Sequence, residues 1–454
     1  MDIIHEIAQK MLINLMELDV LEGIGKYMSD AKEICLRGIL DLATARIEEA
    51  DQAIFNNKKY RKAWEAVKKG QQRVLLTECG TLTYKRRYYK NKKNDKNRAY
   101  LVDHLIGVEK YDRVEKGLAA KICNSATEYS YTKSSQIVCD GAISRQTVKN
   151  KIRQVKEEKI KVEEVREEVK ILHIQADEDH VAMQDGRRDA IVKLVTLHEP
   201  AKTEGSRTYL PHRFCIESYG ENVEDMWIRV ADEINERYGL RDDLRVYIHG
   251  DGASWIKTGL EWINNSKFVL DRYHLNKYLK PVSGGDSELQ KELFKHLKAD
   301  DYRALKKHVA DLASKNICTL EAADKFLSYV KTNREGIKIW YDTNETPGGS
   351  CAEGLVSHVL SARLSSRPRG WLDEGLKAVS RLRVYSINGG VIKPEHFAKC
   401  KDIIDFKKRR VYKTMTKASS FAPLPTDKLK AIRCGRPEYR LFKAIVNGGL
   451  PIDL

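Results

Sequence analysis

Apolar residues recur at helical spacing through most of the first 57 residues, where Ile4, Ile7, Ala8 and Met11 fall on one face. The period then changes, because residues 73–93 contain two strand-like stretches on either side of Cys79-Gly80, a pattern that predicts a hairpin. We therefore expect an α-helical N-terminal region over residues 1–70 and a small β module over residues 71–112.

The next helical stretch contains the pattern of a helix-turn-helix. One helix is predicted to end at Asp140-Gly141, and Ser144 can cap a second helix that carries Arg145, Gln146, Thr147 and Lys149. Such a helix can present polar and basic side chains to the major groove of DNA. Two helices joined by a short turn also occur without any role in DNA binding. Residues 113–170 are predicted to hold this motif and, over 156–170, a linker helix of mixed Lys and Glu.

From residue 171 the pattern becomes that of an α/β domain. Three β-rich runs (171–183, 187–198 and 207–218) are followed by a helix over 223–238, a strand ending at Asp251, a helix over 254–263 and a strand ending at Asp271. The predicted order is βββαβαβ. The rest of the chain divides into a helical insertion (285–344), a second part of the core with Glu353 (345–390) and a basic C-terminal region (391–454), so that the first part of the core spans 171–284.

Composition excludes several classes of protein. The chain has 454 residues, which exceeds what one hydrophobic core usually organises, and 42% of them are hydrophobic, so a multidomain α/β globular protein is expected. No apolar run is long enough to span a bilayer, and the N-terminus has no secretory signal. Nine scattered cysteines without a Cys-x-x-Cys spacing indicate reduced thiols. We expect a cytoplasmic protein with no membrane partner.

The charge balance points to an anionic polymer. The net charge is +16, and residues 84–98 contain eight Lys or Arg and one Asp, while residues 399–417 contain eight and two. Tyrosines interleave with Lys85, Arg86 and Arg87 in the first run and offer stacking surfaces for nucleic acid. Either run alone is equally typical of a solvated face.

Three carboxylates stand at the positions where an α/β sheet places its sites. Asp177 follows an alternating apolar strand, Asp251 ends the fourth strand, and Glu353 begins a late helix. Each acid taken alone is more often a turn or cap residue. Their order on a βββαβαβ unit, however, is the layout of the ribonuclease H-like nucleotidyl transferases. A pair of divalent cations in such a site requires ligands of this kind.

The sequence resembles the DDE transposases of bacterial insertion sequences, and most of all the ISLre-type group, an uncharacterised protein family related to the mutator-like lineage. The resemblance rests on Asp177 in "IQADEDHV", Asp251 in "HGDGASWI", the Asp-x-x-His of "LDRYHLNKY" and Glu353 in "SCAEGLVSHVLSARL", and it covers nearly the whole chain. It implies a ribonuclease H-like catalytic core with an all-helical insertion, preceded by an α-helical and helix-turn-helix DNA-binding region with a small β hairpin module.

The resemblance also implies an activity and its site residues. The protein would bind the terminal inverted repeats of its element as double-stranded DNA and join their 3′ ends to target DNA. It would act as at least a dimer associated with the nucleoid. Asp177, Asp251 and Glu353 would hold two Mg²⁺ or Mn²⁺ ions, with Asp271 and His274 as auxiliary residues. Arg363 and Arg367 come after the helix predicted at Glu353 and are candidates for phosphate contacts, although a solvated helix end is nearly as consistent with them.

Three alternatives remain open from the sequence. Asp179 lies on the same strand face as Asp177, so alternation does not choose between them, and we prefer Asp177 because it directly follows the apolar run. The chain would also fit a non-catalytic, domesticated DNA-binding relative. A ribonuclease H-like nuclease that cuts without joining is the third interpretation.

Overall fold

The computed structural model describes residues 3–59, 61–184, 186, 189–366 and 370–398. The chain forms two compact units, the first described as far as Leu118 and the second running from Ala119 to Ala398. The predicted mixed α/β, multidomain architecture is confirmed. Among the described residues, no helix combines the length and the apolar character that crossing a bilayer requires.

The first unit pairs a long helical hairpin with a small antiparallel sheet. Its elements are α1 (Ile3–Met16), α2 (Ile24–Asn56), β1 (Trp64–Thr77), β2 (Gly80–Asn91), β3 (Arg98–Ala99) and α3 (Leu101–Ile106). The hairpin predicted at Cys79-Gly80 is confirmed, since Thr77 pairs with Gly80, whose φ of +120° favours glycine. The strand β1 begins earlier than predicted, because Trp64 packs with Ile54 and Tyr89 in the core of this unit.

Three helices follow the first sheet, and the last two are joined by the predicted short turn. They are α4 (Lys116–Glu128), α5 (Tyr131–Cys139) and α6 (Arg145–Gln154). The chain reverses at Asp140 and Gly141, both left-handed, and the Ser144 hydroxyl accepts the Thr147 backbone N–H at 3.2 Å. The predicted helix end and cap are therefore confirmed.

The linker helix predicted over residues 156–170 is wrong, since this segment is irregular, with a bend at residues 163–164 and a turn at 167–168. Its charges pair with distant residues rather than along a helix: Lys159 Nζ lies 2.5 Å from Glu236 and Lys170 Nζ lies 2.6 Å from Asp243. A sequence of mixed Lys and Glu can form ion pairs along a helix or with distant residues. In this segment the distant residues determine the conformation.

A five-stranded mixed sheet forms the centre of the second unit. Its strands are β4 (Ile171–Val181), β5 (Ala190–His198), β8 (Phe214–Ser218), β9 (Arg245–Gly250) and β10 (Ser266–Leu270), in the order β10-β9-β4-β5-β8. The pairs β4–β5 and β5–β8 are antiparallel, while β9 is parallel to both β4 and β10. The run predicted as one strand over 207–218 is divided, because Pro211 and the left-handed His212 interrupt it. Its first part, β7 (Arg207–Tyr209), pairs instead with β6 (Lys202–Glu204).

Helices cover the sheet. Helix α7 (Val223–Tyr238) has the predicted bounds, starts at an Asn222 cap and buries Trp227 and Val230 against the sheet. Short helices α8 (Ser254–Lys257) and α9 (Gly259–Trp262) follow β9. After β10 the chain forms α10 (Arg272–Val282), α11 (Ser287–Lys298), α12 (Tyr302–Ser314), α13 (Leu320–Thr332) and α14 (Arg334–Lys338). These helices extend the same hydrophobic core, so the region predicted as an insertion packs on the sheet.

The segment that carries Glu353 returns to the sheet. It consists of α15 (Ala352–Val356), a π-helical turn (Ser357–Ser361) and α16 (Ala362–Leu364), and α17 (Asp373–Ile387) follows it. We refer to residues 352–364 as the Glu353 helix. A π-helical turn carries an extra residue per turn and is often found at functional sites.

Candidate functional site

Three side chains from distant parts of the chain converge at β4, the central strand of the sheet. Asp177 on β4, His274 on α10 and Glu353 on α15 each offer one ligand atom, and these atoms all lie within 4.8 Å of one another. The fold thus brings together three of the residues singled out from the sequence.

Asp177 is the buried member of the group. It lies on β4, is 8% exposed, and its Oδ1 accepts the Glu178 backbone N–H at 2.8 Å. The pKa of Asp177 is raised to about 6, chiefly by burial and also by the nearby carboxylates of Glu353 and Asp251, while the Glu178 backbone N–H and His274 act to lower it. Because burial makes the ionised form of this carboxyl group unfavourable, a cation bound beside it would stabilise that form strongly.

His274 stands in the first turn of α10. Asp271 caps that helix by accepting the Tyr273 N–H at 2.9 Å, so its carboxylate fixes the turn that presents His274. The His274 Nε2 lies 3.9 Å from Glu353 Oε2 and 4.0 Å from Asp271 Oδ2. This nitrogen is buried and makes no hydrogen bond with the described residues. It is therefore available to a ligand.

Asp251 approaches the group without joining it. Its Oδ1 accepts the Ala253 N–H at 2.9 Å, and its negative charge contributes to the raised pKa of Asp177. The Tyr329 hydroxyl of α13 donates to the Asp251 carbonyl at 2.6 Å, and Gly252 has a φ of +92°. A Cβ at Gly252 would come within 2.3 Å of Asn333 Oδ1, so the helical region holds this turn closely.

Asp179, the alternative to Asp177, has different partners. Its Oδ1 accepts the hydroxyls of Ser361 at 3.0 Å and Ser365 at 2.7 Å, and burial raises its pKa. The geometry thus associates Asp177, rather than Asp179, with His274 and Glu353.

The donor set fits a hard divalent cation. Mg²⁺ prefers carboxylate oxygens and retains several waters, while Mn²⁺ also accepts an imidazole nitrogen. Asp177 and Glu353 supply the oxygens, and His274 supplies the nitrogen. Glu353 is 61% exposed at its side chain, which leaves one side of the group open to an incoming molecule.

The predicted DNA-reading helix presents part of its polar face to solvent. Arg145 and Gln146 are exposed, Lys149 is half-buried, and Gln146 donates to Asn150 at 3.0 Å. Ser144 is exposed but acts as the helix cap, and Thr147 donates its backbone N–H to it. The buried face of α6 is formed by apolar residues, Val148 and Ile152.

The basic strand requires a correction. Lys85 is exposed as predicted, but Arg86 and Arg87 are only 6% and 7% exposed. Arg86 forms an ion pair with Asp103, and Arg87 Nη1 lies 2.5 Å from Asp51 Oδ2. The two guanidinium groups therefore neutralise buried acids and do not face a phosphate backbone.

The prediction of a phosphate contact at Arg363 also requires a correction. Arg363 is 3% exposed, and its Nε donates to the Ala126 carbonyl at 3.0 Å, so it ties the Glu353 helix to α4. Arg367 lies outside the described residues. Sequence reasoning did not single out Tyr329, Ser361 or Ser365, because hydroxyl groups on helices carry no distinctive spacing.

The chain has relatives over most of its length. A UPF0236 protein of Caldanaerobacter subterraneus subsp. tengcongensis is 38% identical over 432 residues, covering 93% of both chains. Another from this bacterium is 37% identical over 410 residues, covering 88% of this chain and 87% of the relative. A UPF0236 protein in the vanSb 3′ region of Streptococcus gallolyticus is 23% identical over 344 residues, covering 72% and 75%.

Relatives of this kind occur many times in one genome. One further Caldanaerobacter protein is 37% identical over 446 residues, covering 96% of this chain and 94% of the relative. Its name combines eleven locus designations. The model of one family, described as an uncharacterised protein family, matches residues 20–401. On this match and these identities, the chain belongs to the family UPF0236.

Proposed function

We propose that the protein is the transposase of a bacterial insertion sequence, which cleaves DNA at the ends of its element and joins them to target DNA. The observation that carries the proposal is the convergence of Asp177, Glu353 and His274 within 4.8 Å. Two carboxylates that meet over the central strand of a mixed sheet, one of them exposed, suit phosphoryl transfer on a long, anionic substrate.

The arrangement of the sheet supports a ribonuclease H-like core. An antiparallel β4-β5-β8 meander is followed by β9 and β10, which run parallel to β4, in the βββαβαβ order expected from the sequence. Asp177 lies on the first strand of this unit and Asp251 directly follows the fourth. The all-helical region between β10 and Glu353 is the further feature that the transposase resemblance implies.

The residues of the site have distinct roles in the proposed reaction. Asp177, Glu353 and His274 would hold one divalent cation, and Asp251, at the neighbouring strand end, is the candidate for a second. Bound Mg²⁺ or Mn²⁺ supplies activation of the attacking oxygen and stabilisation of the leaving oxygen. Asp271 orients His274 by capping its helix. Water would attack at an element end, and the freed 3′ hydroxyl would then attack target DNA at the same residues.

Two further observations support DNA as the partner. The chain carries a net charge of +16, and α6 exposes Arg145 and Gln146 beside a half-buried Lys149. Many paralogues in one bacterium are consistent with an element that copies itself. Pairing two element ends would require at least two copies of the chain on DNA.

The test is a strand-transfer assay on a labelled duplex that carries the end of the protein's own element, with Mg²⁺ or Mn²⁺. Wild type should cleave and join, while Asp177→Asn and Asp251→Asn should bind the duplex without cleaving it. Cleavage without joining would favour a nuclease. Binding without any cleavage under either metal would favour a non-catalytic DNA-binding protein and reject the proposal.

A further inference from the structure

Three side chains on one face of β4 contact the segment that carries Glu353. Gln175, Asp177 and Asp179 stand at alternate positions and therefore point the same way. The middle residue belongs to the candidate metal group, while the two flanking residues bind opposite ends of the Glu353 helix.

Gln175 binds the start of that helix. Its Oε1 accepts the Cys351 backbone N–H at 3.1 Å and the Ser350 hydroxyl at 3.2 Å, and its Nε2 lies 3.4 Å from the Gly349 carbonyl. Cys351 directly precedes α15, where helical N–H groups lack partners within the helix. Gln175 thus supplies a partner that the helix itself cannot provide.

A buried histidine fixes the orientation of this amide. His198 Nδ1 lies 2.7 Å from the Glu199 carbonyl, so Nδ1 carries the proton and the other ring nitrogen, Nε2, is an acceptor. That Nε2 lies 3.1 Å from Gln175 Nε2, which must donate to it. The carboxamide oxygen is consequently directed at Cys351.

Asp179 binds the far end of the Glu353 helix. Its Oδ1 accepts the hydroxyls of Ser361, at the end of the π-helical turn, and Ser365, directly after α16. Asp179 is 7% exposed, so these hydrogen bonds are formed away from bulk solvent. One strand therefore holds the helix at two points that lie on either side of Glu353 and the residues following it.

We propose that Gln175 and Asp179 are positioning residues, which hold the Glu353 helix so that Glu353 stays within metal-binding distance of Asp177. This inference deepens the proposed function and rests on it for the identity of the ligand as a divalent cation. It assigns the two neighbouring aspartates different tasks: Asp177 needs its charge, whereas Asp179 needs only an oxygen that accepts two hydroxyls.

The first experiment measures Mn²⁺ binding to the full chain without DNA, by electron paramagnetic resonance of the free ion. Asp177→Asn should abolish binding. Asp179→Asn should bind as wild type does, because its amide oxygen still accepts both hydroxyls. Asp179→Ala and the double variant Ser361→Ala/Ser365→Ala should each weaken binding about 10-fold, the usual effect of losing a group that orients a ligand.

Gln175 is tested in the same way. Gln175→Leu loses every hydrogen bond to the helix start and should weaken Mn²⁺ binding about 10-fold, whereas Gln175→Glu keeps the acceptor for Cys351 and should bind more tightly than Gln175→Leu. The matched control is Ser366→Ala, since that hydroxyl donates to the Ala362 carbonyl and not to Asp179. It should leave Mn²⁺ binding unchanged.

The second experiment measures hydrogen exchange of the metal-free protein by mass spectrometry. Amides of residues 352–364 should exchange about 10-fold faster in Ser361→Ala/Ser365→Ala than in Ser366→Ala, as the loss of two buried hydrogen bonds predicts. Asp177→Asn should not accelerate them. This measurement requires no metal, so it tests the two-point attachment even if the metal site is absent.

The outcomes separate the two proposals. If wild type binds no Mn²⁺, the proposed function loses its site, and exchange alone decides whether the helix is held by Gln175 and Asp179. If Asp179→Asn loses Mn²⁺ as Asp177→Asn does, Asp179 is a ligand and the inference is wrong. Unchanged binding and exchange in the double serine variant would also overturn it.

Discussion

The strands β2 and β4 both carry buried charged side chains, but only those of β2 are paired with side chains of opposite charge. On β2, Arg86 is paired with Asp103 and Arg87 with Asp51. On β4, Asp177 and Asp179 are as deeply buried, yet among the described residues neither has a Lys or Arg within ion-pair distance. A buried charge that is paired within the protein contributes to a stable fold. A buried charge without a partner in the protein destabilises the fold unless a ligand binds beside it.

The largest effect should come from breaking a completed pair on β2. Arg87→Ala leaves Asp51 buried without its partner and should lower the free energy of unfolding by about 3–5 kcal/mol. Urea denaturation of the full chain measures this. Lys26→Ala is the control, because the Lys26–Glu22 pair is more than half exposed and its loss should leave the stability nearly unchanged. A similar loss in both variants would remove the distinction between buried and exposed pairs.

Breaking the acid on β4 should harm activity and leave the fold intact. Asp177→Asn should lower strand transfer by about 10²- to 10³-fold, as the loss of one preorganised electrostatic group does. Its stability should equal or exceed that of wild type, since an uncompensated buried carboxyl group is removed. Activity assays and thermal unfolding of the same preparation test both parts. If Asp177→Asn unfolds as easily as Arg87→Ala, the buried charges of the two strands do not differ in their effect on stability.

Lowering the pH should destabilise the second unit, because two histidines of its central sheet are buried in the neutral form. Burial and the neighbouring His198 lower the pKa of His173 to about 4, and burial lowers that of His249 well below its usual value. The folded state therefore binds fewer protons than the unfolded state. The stability contributed by His173 is complete above about pH 6.5 and is lost as the pH falls towards 4, by up to about 3 kcal/mol.

The measurement is thermal unfolding between pH 7 and pH 4, with His173→Gln as the comparison. The variant should lose less stability across this range than wild type. An identical pH dependence in the two proteins would contradict the assignment of the effect to His173.

The smallest effect should come from the exposed cation of β2. Lys85→Ala should change the free energy of unfolding by no more than about 0.5 kcal/mol. If β2 lies along DNA, the same change should weaken binding a few-fold and reduce the slope of log affinity against log salt by about 1. Fluorescence anisotropy at several salt concentrations measures the slope. An unchanged slope would mean that β2 contributes to folding alone.

Local signals explain which elements the sequence predicted. The bounds of α7 follow from its Asn222 cap and the glycine that ends it, and the turn before α6 follows from Asp140-Gly141 and Ser144. These helix ends and turns depend on residues that are close together in the chain, so they can be predicted from a single sequence. The position of Asp177 on β4 was predicted for the same reason, from strand alternation.

Partners far apart in the chain explain what the sequence did not predict. The burial of Arg87 depends on Asp51, which is provided by a helix 36 residues earlier. The irregular conformation of residues 156–170 depends on acids of α7 and of the bend before β9. Likewise, the choice between Asp177 and Asp179 depends on Ser361 and Ser365. Their hydroxyls reach Asp179 only because the Glu353 helix packs on β4.

The contact between α13 and the turn after β9 has an evolutionary consequence. Tyr329 and Asn333 close around Asp251 and Gly252 so tightly that a side chain at position 252 would collide with the asparagine. A recombination event that exchanged the helical region for that of a distant relative would have to bring matching residues at these positions. We therefore expect the helical region and the sheet to be inherited together, with positions 252 and 333 changing as a pair across lineages.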